Sequence, residues 1–107
     1  MVAEGKILLA GFDLEQEEKN LVNSIIKNYL NKIEQKIKFE EIKLRMKKSQ
    51  HGKTFLHEIK GNLRIVGTKK EFASEVTDYN LYSAIAETFE KLIKEVEHYK
   101  RTARQIR

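Results

Sequence analysis

The hydrophobic period of this chain changes near residue 38, and that change constrains the fold more than any other feature. Before it, Leu21, Val22, Ile25, Ile26, Tyr29, Leu30, Ile33 and Ile37 recur at spacings of one, three and four, the stripe of a long amphipathic helix. After it, Ile42, Leu44 and Met46 alternate with Lys43, Arg45 and Lys47, the period of a strand with one apolar and one cationic face. A second helical stripe follows at Leu81, Tyr82, Ile85, Phe89, Leu92, Ile93 and Val96. Each of these elements has a single face to bury. Two helices lying together on one side of a sheet satisfy all of them at once.

The remaining elements fall between these landmarks. Lys6 to Phe12 is apolar and flanked by Gly5 and Gly11, which suits a short buried strand. Asp13 is placed to cap the first helix, with Gln16 completing a capping-box pattern and an end expected near Lys38. Ser49 to Lys53 contains Gly52 and reads as a turn. Phe55 to Val66 reads as an unbroken strand, with Gly61-Asn62 as the alternative site of a two-residue hairpin that would split it. Phe72 to Val76 forms a short last strand, and Asp78 or Asn80 caps a final helix that frays in the basic tail. The order is β-α-β-β-β-α, an α+β fold with two helices packed on one face of a four-stranded sheet, like double-stranded-RNA-binding domains. At 107 residues the chain is expected to form one domain, with a basic tail over residues 100–107.

Charge supplies the functional lead. The net charge is only +5, yet between Lys43 and Lys70 nine cations meet one anion, Glu58. Strict alternation in strands sends Lys43, Arg45, Lys47, Lys60 and Arg64 to the sheet face away from the helices. A row of long cations suits the phosphates of a polyanion, bound with strong salt dependence and little sequence preference. Few aromatics are available for base stacking there, so structured RNA is the expected ligand and shape the expected mode of reading. A general binder of double-stranded RNA and a module that docks an acidic protein are the alternatives.

Other classes find no support. The chain lacks cysteine, which removes disulfides, thiolate nucleophiles and cysteine-ligated metals. The longest apolar run near the start, Ile7 to Ala10, is far short of a membrane span or a secretory leader, and the expected location is the cytoplasm. His51 and His57 could act on RNA as an acid–base pair, but one falls in a turn and the other in a strand, with no third group to fix them. Glu95 and His98 stand three apart without the further carboxylates a helical di-metal site needs. Nucleotide-binding, zinc-hydrolase and serine-esterase motifs are missing, so no catalysis, cofactor, metal or small-molecule substrate is expected.

Specific letters in the second half carry a resemblance. Asn80-Leu81-Tyr82-Ser83-Ala84-Ile85 is similar to the D-M-Y-A-A-I-D stretch that opens the last helix of the ribosome hibernation promoting factors, a group that includes ribosome-associated inhibitor A. Glu90-Lys91-Leu92 resembles that family's D-K-L, and His98-Tyr99-Lys100 its basic ending. Phe72-Ala73-Ser74-Glu75 sits where the family's last strand runs into that helix. The chain departs at Asn80 and Ala86, where the family usually carries aspartate, and its first helix lacks the T-x-x-L entry. The resemblance implies a non-enzymatic inhibitor of translation under stress, a monomer away from the ribosome, whose partner is the rRNA of the small ribosomal subunit in the mRNA and tRNA channel. By position it implies rRNA contacts at Lys91, Lys94, Lys100 and Arg101, with Lys27, Lys32 and Lys36 as weaker candidates; Arg104 of the basic tail is a further expected RNA contact. It also implies the short form, without the domain that pairs ribosomes in long forms.

Overall fold

In a computed structural model, the backbone is described for residues 6–105 and the side chains for residues 6–102. Its elements are β1 (Ile7–Ala10), α1 (Gln16–Glu34), β2 (Phe39–His51), β3 (Thr54–Ile65), β4 (Glu71–Asp78) and α2 (Leu81–Gln105). The strands form one sheet in the order β1-β2-β3-β4, with β1 parallel to β2 and the other pairs antiparallel. A parallel pair needs a crossover, which α1 supplies. The expected α+β order is the one observed.

The apolar stripes meet where the periods place them. Val22, Ile26, Leu30 and Ile33 from α1 and Ile85, Phe89, Leu92 and Val96 from α2 are buried against Ile42, Leu44, Ile59 and Leu63 of the sheet. Phe39, Ile65, Phe72 and Val76 extend the same core. At the seam between the helices, the Tyr29 ring stacks on Phe89 with centroids 5.2 Å apart, and its hydroxyl donates to a Glu90 carboxylate oxygen at 2.6 Å.

The first helix starts two residues later than its expected cap. Glu15, not Asp13, is the N-cap, and its N–H donates to Glu18 Oε1 at 3.2 Å. Phe12 and Leu14 pack against the core on either side of Asp13, which holds that stretch outside the helix. The C-terminal end also comes sooner, at Glu34: the Lys36 and Ile37 N–H groups both turn back to the Ile33 carbonyl at 2.9 Å. The final helix begins as expected, with Asn80 Oδ1 accepting the Ser83 N–H at 2.9 Å and Asp78 Oδ1 accepting the Asn80 N–H at 2.8 Å. It does not fray at the basic tail but runs through to Gln105.

The central hairpin is longer than expected. Its turn is only Gly52-Lys53, with His51 paired to Thr54 and Gly52 at φ 65°, a left-handed conformation that favours glycine. Gly61 does not break β3. A Cβ there would lie 2.7 Å from Thr88 Cγ2, so the glycine lets α2 settle onto the sheet, which explains its place in a strand interior.

Candidate nucleic-acid interface

The helices cover one face of the sheet, and pairing register fixes what the other face carries. Lys43, Arg45 and Lys47 of β2 stand opposite Asn62, Lys60 and Glu58 of β3, while β4 brings Glu75 beside Lys60 and Glu71 beside Arg64. All five cations expected on this face are there and exposed. The face is nevertheless not of one sign, as the local count between Lys43 and Lys70 suggests. Glu41, Glu71 and Glu75 lie just outside that stretch of sequence, and antiparallel pairing folds them back against it.

Charge is consequently graded along the strands. At the end near the start of β2, Arg64 Nε lies 3.2 Å from a Glu40 oxygen, and its Nη2 lies 3.8 Å from Glu41, whose carboxylate is also 3.9 Å from Lys43 Nζ. Asn62 Nδ2 donates to Glu71 Oε1 at 3.0 Å. Arg64 is thereby paired with two carboxylates, and Lys43 lies at the limit of pairing with Glu41. Toward the hairpin turn, Arg45, Lys47 and Lys60 have no carboxylate within ion-pairing distance among the described residues. Arg45 and Lys60 are directly opposed across β2 and β3, a like-charge pair that costs the free protein stability.

The hairpin carries this cationic end outward. β1 pairs β2 only as far as Arg45, and β4 pairs β3 only from His57 onward, so the last turns of the hairpin project as a two-stranded fin. Beyond the Lys48–His57 pair, where β4 ends, three residues on each strand project by roughly 10 Å at strand rise. Lys48 and Lys53 are exposed on this fin, together with Phe55. None of the three is among the expected contact residues: the expected turn takes in Lys53, and Lys48 falls on the apolar side of the β2 alternation. Alternation through Met46 puts Lys48 on the helix side of the hairpin, pairing with Gln50 puts Phe55 there too, and Lys53 stands in the turn.

The cations of α2 lie on the other layer of the molecule, so the ten expected contact residues do not form one patch. Lys94 and Arg101 are exposed and free of carboxylate partners among the described residues. Lys91 donates to the Glu75 carbonyl at 3.1 Å, and half-buried Lys100 donates to the Lys36 carbonyl at 2.6 Å. Lys100 thus satisfies a carbonyl beyond the end of α1, where a cation also complements the helix dipole. Lys36 is paired with Glu97 at 2.9 Å, and the hydrogen bond from Lys36 holds the Glu97 carboxyl below its usual range. Lys32 sits over the Tyr29 ring, 5.0 Å from its centroid, while Lys27 is exposed on α1. Arg104 falls within α2, but its side chain lies outside the described residues.

Burial, followed by the Glu90 carboxylate that accepts its hydrogen, pushes the Tyr29 phenol up to about 12. The unfolded chain would release this proton near pH 10 and the folded one near 12, so the folded state binds more protons in between and loses stability as pH rises through that window. Tyr29→Phe is expected to flatten this alkaline limb in denaturant titrations at pH 9 to 12. An unchanged limb would show that the phenol is not held as described.

The histidines face opposite sides of the hairpin. His51 shares the open face with Lys47, while His57 is buried on the helix side with Nδ1 3.3 Å from the Asp78 carbonyl oxygen. Among the described residues no group of three histidine or carboxylate side chains could hold a metal, and no helix is long and apolar enough to cross a membrane. Tyr82 and Phe72 pack on the core, as their helical and strand positions imply.

Residues 11–104 match the family described as sigma 54 modulation protein / S30EA ribosomal protein. The chain belongs to this family. Two solved structures share the fold. One, a ribosomal subunit interface protein from Coxiella burnetii, has 14% identity and a TM-score of 0.62 over 90% of this chain and 98% of that one. The other, the Protein Y N-terminal domain of Thermus thermophilus, has 20% identity and a TM-score of 0.53 over 87% of this chain and 94% of that one. No curated protein matches the chain. Family membership agrees with the hibernation-factor resemblance carried by Asn80 to Ile85, and the shared fold agrees with the β-α-β-β-β-α order.

Proposed function

We propose that this protein is a non-enzymatic factor that binds the rRNA of the small ribosomal subunit, occupies the channel for mRNA and tRNA, and holds translation off by steric competition. The observation that carries the reading is the opposed pair Arg45 and Lys60, flanked by Lys47, with no carboxylate bonded to any of the three among the described residues. Such a pair works against folding in the free protein and is relieved when a phosphate lies between the cations. Membership of a family whose description includes a ribosomal protein supports the ribosome as the source of that phosphate. The paired carboxylates at the far end of the face confine the contact to the hairpin half of the sheet. Lys94 and Arg101 offer a second contact on the helix layer, suited to a ligand that surrounds the protein as the walls of a channel do.

Sedimentation of the protein with purified ribosomal subunits through a low-salt sucrose gradient tests this reading. Co-migration with the small subunit, together with loss of messenger-dependent peptide synthesis, is expected. Protein left at the top of the gradient would overturn the ribosomal assignment.

A further inference from the structure

Nine aromatic residues fall among those with described side chains, and only two, Phe55 and Tyr79, are exposed. Both lie at the hairpin end. Phe55 is 42% exposed on the fin, with Lys48 Nζ 4.5 Å from its ring centroid. Tyr79, just beyond β4, is 57% exposed and meets the exposed His51 ring edge-on, with centroids 6.4 Å apart. The rest of the aromatic complement is packed into or against the core. An exposed aromatic ring forfeits its burial energy, and here Phe55 beside Lys48 on the helix side of the fin, and Tyr79 beside His51 on the open face that carries Lys47, put a π-surface next to phosphate-neutralising charge on each side of the hairpin end.

From this arrangement we infer that the hairpin end binds unpaired RNA bases, stacking them on Phe55 and Tyr79 while Lys47, Lys48 and Lys53 take the phosphates. Every base has a π-face, so this contact tolerates any sequence, but it requires bases that are not already stacked within a duplex. It differs from the phosphate contact of Arg45 and Lys60, which needs no free base. The inference rests on the RNA-binding reading and adds a preference within it: an RNA with unpaired nucleotides is held more tightly than a perfect duplex of equal charge.

Fluorescence anisotropy with a labelled 12-nucleotide oligouridylate and a labelled blunt 12-base-pair RNA duplex, at fixed salt, separates the two contacts. The full chain is compared with a Phe55→Leu, Tyr79→Leu double variant and with a Phe55→Tyr, Tyr79→Phe variant that keeps the rings. Stacking of one base is worth roughly 5- to 150-fold in affinity, so the leucine variant is expected to lose on the order of tenfold or more for the single strand. Its duplex affinity should change less than about twofold, and its slope against log salt should stay the same, because stacking releases no counterions. The ring-keeping variant should retain single-strand affinity, which controls for damage to the hairpin. Equal loss on both RNAs, or no loss on the single strand, would overturn the stacking contact while leaving phosphate binding in place. Absence of salt-dependent binding to either RNA would overturn the RNA-binding reading itself.

Discussion

Replacing Arg45 with glutamate should make the free protein more stable and its RNA complex weaker. In the folded chain Arg45 is directly opposite Lys60, and its same-face neighbours along β2 are Lys43 and Lys47. A carboxylate at this position faces cations on three sides, converting a repulsive cross-strand pair into an attractive one worth ~0.2–1 kcal/mol. In a domain of this size that raises the melting temperature by a few degrees, about 4–8 °C per kcal/mol. The same change removes a charge-assisted phosphate contact of ~1.5–3 kcal/mol, a loss of about 10- to 150-fold in affinity. Thermal unfolding and RNA titration of one preparation read both effects. Opposite signs are the mark of a charge kept for a ligand. If stability and affinity fell together, Arg45 would be a structural residue.

Phe89→Ala should have the largest effect on stability. The ring is fully buried, stacks on Tyr29 at 5.2 Å with its plane tilted only 2°, and lies at the seam where the helices meet over the sheet. Truncating a buried Phe costs ~3–5 kcal/mol, because the packed walls relax only partly into the cavity. Small domains have about 5–15 kcal/mol in hand, so the variant should melt more than ~10 °C lower. RNA affinity measured well below that melting point should be nearly unchanged, since Phe89 lies on the far side of the sheet from Arg45 and Lys60. A loss of under ~1 kcal/mol would mean the α1–α2 seam is not packed as described, and lost affinity at low temperature would mean the two layers are coupled.

Architecture was legible in the sequence because α1, α2, β2 and β3 each have a clean period and a single face to bury, whereas β1, expected to be buried, is an edge strand with Leu8 and Leu9 exposed. The alternation through Ile42, Leu44 and Met46 set the face of the β2 side chains from Glu41 onward, and pairing carried it across to Ile59 and Leu63; the register shift between Phe39 and Glu41, which lets Phe39 be buried as well, has no such signal. What the sequence hid was whatever depends on which strands become neighbours. Glu71 and Glu75 are remote from Lys43 in the chain, yet β4 lays them along β3, so a stretch that counts as strongly basic becomes a face whose charge is graded. Lys100 read as a free cation on a basic tail, and only the approach of α2 to the end of α1 turns it toward the Lys36 carbonyl. The late start of α1 has the same origin: Asp13 is the better cap by residue type, but packing of Phe12 and Leu14 outweighs a preference worth ~1 kcal/mol. The fin was missed for a simpler reason. His, Gly and Lys all suit a turn, and only the paired register shows that just two residues are needed.

In the proposed function, unpaired cations at the hairpin half of the sheet face hold the small subunit through its phosphates. The most direct test is the affinity for purified small subunits as a function of salt, for the full chain and for an Arg45→Ala, Lys47→Ala, Lys60→Ala triple variant. Log affinity is expected to fall linearly with log salt, with a slope smaller by about three units in the variant, roughly one per phosphate contact removed. An identical slope in both proteins would contradict it, placing the ribosomal contact elsewhere on the molecule.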